Sequence, residues 1–130
     1  MQRAVFDRLN GYDESFVGLE DIEFSLRATA MGIEVHFVPN ARIQYRYRDD
    51  ATGLWRQGRF YGASVPALAV RARSLGLQPP SRLNGLKSWA WLVVNAGKLA
   101  TADGRLAWLW VLANRVGSLE GSLRVRSLYV

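Results

Sequence analysis

The stretch EDIEFSLRATAMGIEVHFVPNARIQYRYR, residues 20–48, changes its periodicity twice, and that limits the folds open to the chain. Its first part has helical spacing, with acids leading, Arg27 following and Gly32 as terminator, the order that suits a helix dipole and a C-terminal glycine. Ile33, Val35 and Phe37 then alternate with Glu34 and His36. After the Pro39-Asn40 turn, Ile43, Tyr45 and Tyr47 lie opposite Arg42, Gln44, Arg46 and Arg48. A helix feeding two alternating runs predicts an α/β arrangement with two strands. With 130 residues, the chain can close one modest core.

The remainder reads as helix. RAVFDRL predicts a short helix over Arg3–Leu9, stopped by Asn10-Gly11. Asp49-Asp50 reads as an N-cap pair opening a long helix over Ala51–Leu75, kinked or broken near Pro66. The loop GLQPPSRLNG divides residues 1–75 from 76–130. Beyond it come apolar helical stretches over Leu86–Ala100 and Gly104–Val116, hinged at TADG, with a tail that continues the last helix loosened by Gly117 and Gly121. The expected class is α/β in a mostly helical chain.

Charge points to the partner. Seventeen Lys and Arg against eleven acids leave +6, and Lys87 and Lys98 are the sole lysines. Arg favours forked contacts to phosphate, although a coding bias also enriches it. The surplus suits a diphosphate, an acidic membrane surface or nucleic acid. No zinc-finger, glycine-rich RNA or helix-turn-helix pattern supports the last of these. The chain lacks cysteine, which fits a reducing compartment, and its lone His36 rules out a multi-histidine zinc site. No apolar run approaches the roughly 20 residues of a spanning helix. The expected location is cytoplasmic, with peripheral attachment to the inner face of the plasma membrane as an option.

Against this basic background, GYDESFVGLEDIEFSLRA gathers Asp13, Glu14, Glu20, Asp21 and Glu23. First-turn acids that complement a helix dipole are one explanation. The other is a general base held on a rigid element, able to deprotonate an acceptor hydroxyl as its oxygen attacks a sugar carbon. Glu20 and Asp21 point about 100° apart on a helix, so they do not share one job. Glu23 reads as a solvated helix acid, and Arg27 as the partner of a nearby carboxylate.

Residues 3–48 resemble the acceptor-side half of a family 2 glycosyltransferase of the GT-A fold. The resemblance rests on Phe6, Gly11-Tyr12-Asp13-Glu14, Glu20-Asp21, Arg27, Gly32, Val38-Pro39 and Ala41, in the family's order. It implies that Asp21 is the catalytic base of an inverting transfer from a nucleotide-diphospho-sugar. It implies that Glu20 contacts a sugar or lipid-linked acceptor, and that Asp13 and Glu14 lie beside the sugar pocket. The family's donor half and its Asp-x-Asp motif have no counterpart here, so a divalent metal (Mg or Mn) is expected on that half of the intact enzyme, with no metal ligands in this chain. A family histidine expected after the Pro turn is replaced by IQYRYR.

Arg46, Arg48, Arg56 and Arg59 lie in RYRDDATGLWRQGRFYG among Trp55, Phe60 and Tyr61. They read either as a clamp on a diphosphate or an anionic acceptor such as a lipid phosphate, or as solvated arginines of an amphipathic helix. In WAWLVV and LAWLWVL, four of the five tryptophans lie near Lys87, Lys98, Arg105 and Arg115. Two packed antiparallel helices explain them, as does an interfacial hairpin. Trp108 and Trp110 face different sides, so at least one is expected to meet a partner or lipid. The tail resembles those of family members that build lipid-linked or cell-envelope glycans. The competing reading is a non-catalytic, membrane-attached interaction module of the same ancestry.

Overall fold

The computed structural model describes residues 3–44, 48, 50–79, 81 and 83–128. Its elements are α1 (Arg3–Arg8), α2 (Glu20–Ala30), α3 (Ala51–Ser74), α4 (Leu83–Val94), a 3-10 turn (Ala96–Ala100) and α5 (Ala102–Arg124). The chain is mostly helical, and no strand forms among the described residues. The two expected strands are therefore corrected. Residues 33–38 and 41–44 carry no ladder, while Tyr45, Arg46 and Tyr47 lie outside the described residues. Phe37 is 89% exposed and Ile43 85%. An isolated two-stranded ribbon is marginal in water, and of its described apolar side Ile33 meets the core while Val35, Phe37 and Ile43 stay exposed.

Local signals fix most helix ends as expected. Gly32 closes α2, its N–H donating to Thr29 O (3.0 Å) while Ile33 N–H reaches Ala28 O (2.9 Å). Asp50 caps α3, accepting from Gly53 N–H at 2.6 Å, and Thr101 caps α5, accepting from Gly104 N–H at 3.2 Å. Asp49 lies outside the described residues. Helix α3 is not broken at Pro66, which is buried inside it. The stretch expected as one helix over Leu86–Ala100 splits at Asn95 into α4 and the 3-10 turn.

A small core joins α1 to α2 through Leu9, Phe24 and Ala28, flanked by Val5, Phe6 and Ile33. Phe6, Tyr12 and Phe24 close it as an aromatic trio with centroids 5.4–5.8 Å apart. The larger seam lies between α3 and α5, which run side by side in the same direction. Small residues build it: Gly58 and Gly62 on α3 meet Ala113 and Asn114, and Gly117 and Gly121 on α5 meet the backbone of Arg59 and Ala63. A Cβ on Gly117 would press into the carbonyl of Arg59, and one on Gly121 into that of Ala63. These glycines do not loosen the helix; they let two backbones touch.

The tryptophans of α5 divide their faces as expected, yet both find partners within the chain. Trp108 Nε1–H donates to Leu92 O of α4 at 2.9 Å. Trp110 meets Tyr61 of α3 edge-on, with centroids 6.2 Å apart. Among the described residues, no helix is long and apolar enough to cross a membrane.

Candidate functional site

The acidic segment is organised around the entry to α2. Gly18 (φ +91°) and Leu19 (φ 61°) are both left-handed immediately before Glu20. The Phe60 ring of α3 occupies the space where a Gly18 Cβ would sit, so a side chain there would be strained at this φ and would have to displace the ring. Leu19 offers no side-chain cap to α2, and a left-handed non-glycine backbone costs about 1–3 kcal/mol. The bend sets Glu20 and Asp21 on the first turn, both exposed. Asp21 Oδ1 accepts from Ile22 N–H at 2.9 Å.

One turn deeper, Glu23 corrects the expectation of a solvated acid, because it is fully buried. Arg27 Nε donates to both its carboxylate oxygens at 2.9 Å, and Arg71 Nε lies 3.1 Å from Oε1. Arg27 also donates to Leu9 O and, at 2.7 Å, to Gly11 O. It thus pairs with a carboxylate as expected, and it also ties the Gly11–Glu14 turn to α2. Arg71 pairs with Asp13 as well and stacks its guanidinium 5.4 Å over the Phe16 ring. Two acids and two arginines from three segments lock the loop before Asp21 onto α2 and α3. Arg71, 58 residues from Asp13, had no local signal in the sequence.

Asp13 therefore does structural work. Ser15 donates its hydroxyl (2.6 Å) and its N–H (3.0 Å) to Oδ1. Those bonds, helped by Arg71 and Arg27, hold its carboxyl below the ordinary value of 3.8, against the opposing effect of desolvation. A lowered folded pKa means that the contribution is complete above about pH 3.8 and lost as pH falls through the folded value. We expect Asp13→Asn to lower stability at neutral pH and flatten the acid limb below pH 4, read by urea melts across pH. An unchanged limb would exclude this role. Glu14 is exposed beside it.

The three described arginines of the Arg46–Arg59 stretch separate. Arg48 and Arg56 line one cavity of about 470 Å³, together with Gly53, Gln57, Phe60 and Tyr61. Arg59 instead pairs with Glu120 of α5 at 2.6 Å and is turned towards the seam. Arg46 lies outside the described residues. Phe60 links the two regions, since it walls this cavity and packs on Gly18, three residues before Asp21.

No family model, curated protein or solved structure matches the chain. The site must be read from its own chemistry. Among the described residues no group of three or more His, Asp or Glu could hold a metal ion. Asp13 and Glu23, the carboxylates of the network behind Asp21, are already neutralised by guanidinium groups. These residues do not fit a divalent metal.

Proposed function

We propose that this chain is the acceptor-side part of an inverting glycosyltransferase related to the GT-A family 2 enzymes, acting with a donor-binding half in cell-envelope or lipid-linked glycan synthesis. One observation carries the reading: an exposed carboxylate, Asp21, stands on the first turn of a helix anchored by a buried ion network. In this reading Asp21 takes the proton of an acceptor hydroxyl while that oxygen bonds to the anomeric carbon. The bond from that carbon to the nucleotide diphosphate breaks, and the leaving group departs with the electron pair. Attack from the opposite face inverts the configuration. Glu20, exposed alongside, orients the acceptor. Arg48 and Arg56 bind a phosphate group of donor or acceptor.

The test is transfer by the protein carrying this segment together with a donor half, supplied with nucleotide-diphospho-sugars and glycan acceptors. Acceptor-dependent release of nucleotide diphosphate and a product of inverted anomeric configuration, read by NMR, are expected. Retention of configuration would overturn the mechanism. Absence of turnover would favour the interaction-module reading, which the exposed Val93 and Val94 on α4 would serve.

A further inference from the structure

A second and larger cavity, of about 950 Å³, opens between α3 and the α4–α5 pair. Its walls are apolar: Ile43, Leu54, Trp91, Leu106, Trp110 and Val111. Arg48, Gln57 and Tyr61 line it too, and the same three residues line the cationic cavity that holds Arg56. The two spaces therefore share a wall of polar side chains. At that junction Gln57 Nε2–H donates to the Tyr61 hydroxyl at 3.3 Å. The result is a greasy chamber that opens onto a pair of guanidinium groups.

Charge and size together select the occupant. A volume below about 1,000 Å³ suits a small molecule rather than a packed protein element. An apolar chamber alone would take any hydrocarbon, and two arginines alone would take any phosphate. Joined, they complement a molecule with both parts, an apolar chain ending in phosphate or diphosphate. Nucleotides fit poorly, since six aliphatic or aromatic walls give a base and ribose little to hydrogen-bond.

We propose that this two-part cleft binds a single-chain lipid phosphate, with the chain against Trp91 and Trp110 and the phosphate on Arg48 and Arg56. The role of this ligand as acceptor rests on the glycosyl-transfer reading above. The lipid anchors the acceptor, and a sugar beyond the phosphate presents its hydroxyl towards Asp21, across Phe60 and Gly18. The arginines then read the acceptor's phosphate, not the departing nucleotide's.

Binding is measured without turnover, so that either reading can fail alone. Calorimetric titration with dodecyl phosphate below its micellar concentration is compared with dodecanol and inorganic phosphate. We expect saturable binding of dodecyl phosphate, with both controls weaker by about tenfold or more. Arg56→Glu and Ala107→Phe change exposed residues, the second one on the cleft wall, so both variants should fold. Each should weaken dodecyl phosphate at least about tenfold with an unchanged circular dichroism spectrum. Asp21→Asn should bind as the parent does. Equal binding of dodecanol, equal binding of inorganic phosphate, no saturation, or parent-like binding by Arg56→Glu or Ala107→Phe would each overturn the proposal.

Discussion

Replacing Asp21 by Asn is expected to lower turnover about 10²- to 10⁴-fold while leaving the fold intact, which is the span general-base catalysis contributes. The amide keeps the shape and can still accept from Ile22 N–H, but it cannot take a proton at neutral pH. Few native contacts depend on this carboxylate, since it is exposed and bonds its own neighbour. The stability change should stay within about 0.5 kcal/mol. Steady-state rates, paired with a urea melt, separate the two effects. If Asp21→Asn keeps full turnover, Asp21 is a first-turn capping acid and the base lies elsewhere. If it loses stability in step with rate, its role is structural.

The opposite pattern is expected at Glu23. Glu23→Gln retains the length and a carbonyl acceptor but takes from Arg27 its carboxylate partner and leaves Arg71 with Asp13 alone. Removing one partner of a buried ion pair costs about 3–5 kcal/mol. Here the arginines are 18% and 31% exposed, so water partly compensates and a loss near the lower end, about 3 kcal/mol, is expected. The urea midpoint should fall with little change in slope. A neutral Glu23→Gln would show that the network does not hold the loop. Comparing the two variants separates chemistry from scaffold within one helix.

Helix content was legible because its signals are local. Gly32 and Asp50 each act within four residues and end or begin a helix where expected, while Thr101 starts α5 two residues before the expected Gly104. The alternating runs misled, because period-2 patterning shows which side chains share a face but not whether a neighbouring strand is there to pair with. Glu23 misled for a related reason. Its burial depends on Arg71 in another helix, and helical spacing alone cannot distinguish a solvated acid from one covered by a remote guanidinium. Arg27 was legible as an ion-pair partner because Glu23 lies one turn away in the same helix. For the arginines, the sequence brought four together by proximity in the chain. Arg59 lies only about 60° around the helix from Arg56, and it is Glu120 of the remote α5 that draws it away from the cavity.

The bare contact between α3 and α5 bears on how the apolar chamber keeps its width. Ordinary helix pairs are spaced by side chains that can swing, whereas here main chain rests on main chain at Gly117 and Gly121. Leu54 and Tyr61 on one helix and Trp110 and Val111 on the other are thus held at a separation set by peptide geometry. Such a gauge resists breathing, so selection among guests of different girth would be decided by α4, the wall that does not share in that contact.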